Sequence, residues 1–270
     1  KVHVHTNTPG KALDYGQSLG ELVNLKIENM VQQRRDNMTK NAAEAKTDEP
    51  PKDFGIVTVS LGEGFNQIFS DLGVDKIVEG GQTMNPSIED IGEAIAKVNA
   101  RCVFVLPNNG NVILAAHQAA EMTEDKKVVV IPTKNVAMGI AAAVAFQGEV
   151  SAEENAKRME ESAQRVRTGT VTYAVRDSDI EDLHIKQGDI IGLYNGKVVF
   201  SGSDIHDVAF NLMQKIVTED DELITVYYGK EVPEKDAQTL TDEIADAFGD
   251  CDVEIHMGGQ PLYYYLISVE

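Results

Sequence analysis

The chain is poor in several things that would narrow its role. It has no tryptophan, and phenylalanine and tyrosine together make up only 6% of its 270 residues. It has 2 cysteines, Cys102 and Cys251, each in an apolar, strand-like context and without a paired motif. A disulfide framework is therefore not expected; two buried free thiols fit a reducing compartment, and a cytoplasmic setting is the expectation. No apolar run approaches the ~18 residues of a membrane span. The most apolar stretch, Val136 to Phe146, reads as a short buried helix. No signal-peptide pattern is visible. Basic residues are also scarce: 24 Lys plus Arg stand against 44 Asp plus Glu, a formal net charge of −20. Such a field repels phosphate backbones, which argues against nucleic acid and anionic membrane surfaces as partners. Solubility accounts for most of the charge, and an acidic docking face for a basic protein is the sharper alternative.

The chain also opens without a methionine, on Val2-His3-Val4-His5-Thr6. Histidines at i and i+2 in a β-branched run share one face of a strand. His3 and His5 are therefore the first candidate site. An exposed edge-strand pair is the plain reading. Metal binding lacks further ligands, since a zinc site needs three or four. A catalytic reading needs groups from another domain, and a start in mid-strand predicts that sequence upstream is missing.

The pattern that follows predicts the organisation. Strand, helix and strand over residues 1–30 form a β-α-β fragment too small to bury its own faces. Residues 31–53 are polar and read as a linker, with Asp48-Glu49-Pro50-Pro51 as the break. Over 54–150, strands and helices alternate, which predicts an α/β lobe: a parallel sheet with helices on both faces. Ser87 and Asp90 mark a helix start. Residues 151–168 read as a long polar bridging helix. From 169 to 270 the pattern is α+β, with Asn195-Gly196 as a strong hairpin signal.

Two loops follow predicted strands, where ligands collect in open α/β sheets. Ser60-Leu61-Gly62-Glu63-Gly64 could aim backbone amides at an anion through Ser60 and Gly62, although it lacks the spacing and lysine of a phosphate loop. Pro107-Asn108-Asn109-Gly110-Asn111 presents three carboxamides, Asn108, Asn109 and Asn111. They are candidates for a polar ligand or partner, or for capping the next helix. Gly258-Gly259-Gln260-Pro261 reads as a tight reversal.

Taken together, the His3/His5 motif through Gly10, then Gly20-Glu21-Leu22 and Ile27-Glu28-Asn29-Met30, closely resemble the middle domain of FakA-type proteins. These are the kinase subunits of bacterial fatty acid kinase, the YloV-type dihydroxyacetone-kinase-like family. Leu106 through Asn111 and the ending Gly258-Gly259-Gln260-Pro261-Leu262-Tyr263-Tyr264-Tyr265-Leu266-Ile267 look like the family's C-terminal domain. The resemblance implies a DegV-like two-lobed fold. It implies that the whole protein uses ATP and magnesium, held by an N-terminal domain, to phosphorylate a fatty acid on a FakB-like carrier. It places His3 and His5 in phosphoryl transfer and the C-terminal domain in carrier docking. No cofactor is expected in this fragment, which should be inactive alone, and the full-length protein is expected to be a homodimer. The alternative is a DegV-like lipid-binding or regulatory module without catalysis. The loop Thr83 to Ser87 falls where DegV-like carriers hold a lipid-contacting Thr/Ser-Pro motif, and Met84 and Asn85 depart from it.

Overall fold

The computed structural model describes Thr6 and residues 8–20, 50–81, 85–180 and 183–270. His3 and His5, the two strands expected around them, and most of the linker lie outside the described residues. So do Thr83 and Met84. The chain divides into two units, Lys1–Lys46 and Thr47–Glu270. In the first, helix α1 (Pro9–Leu19) has proline at its start and no buried residue.

The second unit contains two lobes. In the first lobe the order is β1 (Lys52–Ser60), α2 (Glu63–Asp71), β2 (Lys76–Glu79), α3 (Ile88–Ala96), β3 (Ala100–Leu106), α4 (Ile113–Glu121), β4 (Lys127–Val130) and α5 (Val136–Ala145). The strands form a parallel sheet ordered β2-β1-β3-β4. Alternation decides which residues go where. Val57, Val59, Val103 and Val105 face α3 and α4, packing on Ile91, Ile95 and Ala116. Ile56, Cys102, Phe104 and Leu106 face the other way, onto Phe69, Ala142 and Met159. A sheet covered on both sides needs strands that are apolar on both faces, as the central strands β1 and β3 are over Ile56–Val57 and Cys102–Leu106. Ser87 and Asp90 form a reciprocal capping box at α3: each backbone N–H donates to the other's side chain, at 2.8 and 3.1 Å.

The polar helix α6 (Ala152–Arg165) lays Met159 and Ala163 on the first lobe and leads into the second. There β5 (Arg167–Tyr173), the hairpin β6 (Ser178–Ile180) and β7 (Leu183–Ile185), β8 (Ile190–Tyr194), β9 (Lys197–Gly202), α7 (Ile205–Ile216), β10 (Leu223–Tyr228), α8 (Glu234–Ala247), β11 (Asp252–Met257) and β12 (Tyr263–Val269) follow. Six strands make a mixed sheet ordered β11-β10-β12-β5-β8-β9, with only the β10–β11 pair parallel. One face of this sheet buries Val171, Ile224, Val226, Tyr265 and Ile267 against Leu212, Met213, Leu240 and Ile244 of α7 and α8.

The Asn195-Gly196 turn joins β8 to β9 with φ of +47° and +81°. Those are the signs a type I′ hairpin requires. Three boundaries differ from the sequence pattern. Strand β1 begins at Lys52, inside the segment read as linker, because Lys52 registers with Ala100 and its N–H bonds Asn99 O at 3.0 Å. The bridging helix ends at Arg165: Val166 is already extended and β5 starts at Arg167. The sequence pattern starts the next helix at Gly110, whereas α4 starts at Ile113, after a turn closed by Val112 N–H on Asn109 O at 2.9 Å. The β6–β7 hairpin carries no turn signal of comparable strength and does not stand out in the sequence.

Candidate functional site

In a sheet ordered β2-β1-β3-β4 the chain reverses its winding direction between β1 and β3, and the carboxyl ends of those strands flank a crevice. Here the second lobe closes over that crevice and leaves a cavity of about 700 Å³. Its walls come from the ends of β1 and β3, the start of α5, strands β5 and β8, and the 260–263 turn. The volume lies within the usual range for small-molecule sites.

The two loops singled out in the sequence meet at this crevice, and most of their polar groups are used by the protein itself. Asn108 is buried with φ +53°, a conformation asparagine tolerates better than most residues. Its Nδ2 donates to Thr58 Oγ1 at 2.8 Å and to Val59 O at 2.9 Å, and its Oδ1 accepts from Thr133 Oγ1 at 2.8 Å. One side chain thus ties together the ends of β1, β3 and β4. A Cβ on Gly139 would lie 2.1 Å from Asn108 Oδ1, so α5 must present glycine there. Asn109, also buried, donates to Gly81 O and Asn85 Oδ1 at 3.2 and 3.3 Å and accepts from Asn111 N–H at 2.9 Å. That last bond organises the turn before α4 but does not cap the helix. Asn111 is exposed and does not line the cavity.

The glycine loop is a seam between the lobes. A Cβ on Gly64 would stand 1.6 Å from Met257 O, and one on Gly62 (φ +126°) 2.4 Å from Gly258 O. Backbone therefore lies directly on backbone. Phe65 N–H, a group that an anion at the start of α2 would need, donates to Gly258 O at 3.2 Å. Phe65 and Tyr227 pack across the seam with ring centroids 5.2 Å apart, beside Ala137, Ala141 and Leu266. Ser60 is buried at the end of β1 and its Oγ has no hydrogen-bond partner among the described residues.

Four cavity residues escape a reading of the sequence alone. Lys134 follows β4 and is, among the described residues, the only charged side chain on the wall. Asn135 caps α5, its Oδ1 accepting from Met138 N–H at 2.9 Å. Asn195, of the hairpin turn, accepts from Thr168 N–H at 3.0 Å. Gln260 donates to Tyr227 O at 3.2 Å, while its buried Oε1 has no partner among the described residues. For Asn135, Asn195 and Gln260 a signal exists, but each has a sufficient local explanation as a cap, a turn or a reversal; Lys134 has no signal in the sequence pattern.

Residues 55–270 match the FakA-like C-terminal domain family of fatty acid kinases, and residues 1–37 match the corresponding FakA-like middle-domain family. The chain belongs to the FakA-like family. Protein YloV of Bacillus subtilis is 42% identical over the whole of this chain, and an uncharacterized Staphylococcus aureus protein is 41% identical. In both cases the match covers 49% of the relative, so the chain spans about half the length of the curated relatives it matches. The fold of this FakA-like chain is DegV-like. It superposes on a DegV lipid-binding protein from Thermotoga maritima with a TM-score of 0.58 at 12% identity, covering 81% of this chain and 98% of that one. Bacillus subtilis DegV, described as a fatty acid binding protein, gives a TM-score of 0.56 at 15% identity, covering 81% and 99%. A Streptococcus pneumoniae fatty acid kinase B3 protein loaded with linoleic acid gives 0.54 at 12% identity, covering 81% and 99%.

Proposed function

We propose that this chain is the carrier-docking half of a fatty acid kinase, and that His3 and His5 face the phosphoryl group in transfer. The observation that carries the reading is the pairing of two family matches on one chain, a middle-domain segment and a DegV-like domain. Residues 38–54 lie between the two matched segments.

The chemistry fits the residue type. A fatty acid carboxylate is ionised at neutral pH and needs no strong base to attack a γ-phosphate. The obstacle is bringing one anion onto another, and imidazoles that donate to the transferring group stabilise the charge. ATP and magnesium would be held by the part of the longer relatives that this chain does not span. The test uses the full-length protein with a loaded DegV-type carrier and the variants His3→Ala and His5→Ala. Loss of acyl-phosphate formation with ATP binding retained is expected, and near-normal turnover in both would sink the assignment. Co-sedimentation of this chain with the carrier tests docking separately.

The cavity supports a second reading, in which the domain itself holds a lipid. Organic extraction and mass spectrometry of the purified chain decide it: stoichiometric fatty acid favours a lipid module, and its absence favours docking alone.

A further inference from the structure

We propose that the open edge of β11 is a docking strand for a basic, extended segment of a partner protein. β11 is the last strand of its sheet: it pairs with β10 alone, and among the described residues no strand lies beyond it. Asp252 N–H donates to Glu222 O at 2.8 Å, and Gly258 N–H to Tyr228 O at 3.0 Å. Alternate residues of a strand turn their backbone groups to opposite sides, so 252, 254, 256 and 258 face β10. Val253 and Ile255 therefore turn their N–H and C=O outward. Met257 C=O, the next outward group, lies against Gly64, and the open stretch ends there. The pairing register of β10 with β11 runs unbroken from Leu223 and Asp252 to Tyr228 and Met257. At the opposite edge of the sheet, the β8–β9 pair slips register between Gly192 and Leu193. Sheet edges are commonly blunted by bulges, prolines or lysines, and β11 has none of these.

What guards this edge is charge of one sign. Residues 219–254 hold thirteen of the 44 Asp plus Glu but two of the 24 Lys plus Arg, which is more than half of the net charge of −20. Val253 and Ile255 pack onto the core beneath α8, so Asp252 and Glu254 point to the other face of the sheet, and both are exposed. Asp246, in the last turn of α8, and Asp250, in the turn that leads into β11, are exposed as well. Glu254 meets His256 Nε2 at 3.3 Å along the same strand. Among the described residues no lysine or arginine forms an ion pair with any of these four carboxylates. Such a fence repels a second copy of this chain, which would bring the same carboxylates to the same edge, and it repels an acidic strand equally. A basic strand gains main-chain hydrogen bonds from the edge and attraction from the flanks. The open backbone calls for an extended chain, and the carboxylates decide which chain it is. None of this needs the cavity, phosphoryl transfer or a DegV-type carrier.

Fluorescence anisotropy of short labelled peptides, titrated with the whole chain, tests it. The probes are a peptide of alternating lysine and valine, one of alternating glutamate and valine, and the lysine–valine peptide N-methylated at every residue, which keeps its charge and loses its main-chain donors. The lysine–valine peptide should bind, and more weakly as salt is raised. The other two should bind at least about tenfold more weakly. Asp252→Lys combined with Glu254→Lys reverses the charge at exposed positions and should weaken binding at least about tenfold. Glu121→Lys combined with Glu124→Lys makes the same charge change at the end of α4 and should alter binding by less than about twofold. Val253→Pro deletes one outward N–H that the β10–β11 ladder does not use, and should weaken binding several-fold with thermal unfolding little changed. Equal binding of the glutamate–valine or the N-methylated peptide would overturn the docking strand. Equal losses from the two pairs of charge changes would overturn it too, because the overall field alone would then explain the attraction. So would a lysine–valine peptide that does not bind at low salt.

Discussion

The two walls of the inter-lobe cavity are built from the same residue types and behave differently. On the wall at the ends of β1 and β3, the hydrogen-bonding groups of Asn108 and Asn109 are taken up by Thr58, Val59, Thr133, Gly81, Asn85 and Asn111. On the wall where the start of α5 meets the β8–β9 turn, Asn135 and Asn195 use their oxygens on backbone N–H groups and leave donors over. The presence of asparagine beside a crevice therefore says little. The residual valence, after the backbone has taken what it needs, is what separates a brace from a binding group. The glycine seam belongs with the first wall, because its free amide, Phe65 N–H, is taken by Gly258.

The largest effect should come from the seam. Gly64→Ala places a carbon 1.6 Å from Met257 O, which is backbone and cannot swing away. The lobes must separate or α2 must shift, at a cost of about 3 kcal/mol or more. Urea unfolding would measure it. A loss below about 1 kcal/mol would mean that the seam is looser than the geometry shows.

Next is Asn108→Asp. The variant keeps the size and the acceptor toward Thr133, but turns a carboxylate oxygen onto Val59 O in a buried site. A cost of roughly 3 kcal/mol follows from burying an ill-matched charge, reduced by whatever proton the aspartate takes up. The same change at Asn195 should cost little stability, because there the oxygen is the atom in use. Equal destabilisation at the two positions would erase the distinction between the walls.

Much of this architecture is legible in the amino-acid order. The alternation of strands and helices in the first lobe, the Ser87 start of α3 and the Asn195-Gly196 hairpin follow from period, capping and turn chemistry, all local properties. The DegV-like fold comes from the resemblance and is matched by the solved neighbours. What stays hidden depends on distance in sequence. Gly64 meets Met257, Asn108 meets Thr133, and Asn135 meets Thr168 and through it Asn195; no window of residues contains these pairs. The Gly62 loop looks like an anion cradle because the partner that occupies it arrives almost two hundred residues later. His3 and His5, the sharpest expectation, fall outside the described residues.

Tyr227 makes the seam sensitive to alkali. Burial, and then the Glu270 carboxylate, push its phenol up to about 12, and burial followed by Asp236 does the same for Tyr265 in the second-lobe core. An unfolded tyrosine titrates near 10. Between pH ~10 and ~12 the unfolded chain therefore releases protons that the folded chain keeps, so stability is intact below that window and falls as pH rises through it. Each tyrosine should cost roughly 1.4 kcal/mol per pH unit inside the window. In Tyr227→Phe the slope should drop by about half of their joint share. An unchanged slope would place the titration elsewhere.

The smallest effect completes the comparison. Lys134 is exposed and bonds to nothing among the described residues, so Lys134→Met should change stability by less than ~0.5 kcal/mol. Its value lies in that contrast: a residue that contributes almost nothing to folding, on a wall with unused donors, is free to answer to a ligand. Thermal unfolding of the variant beside its titration with dodecanoate puts both quantities on one protein. Unchanged melting with weakened binding assigns the lysine to the cavity's contents. Lowered melting with unchanged binding would make it one more brace, and the two walls would then be alike.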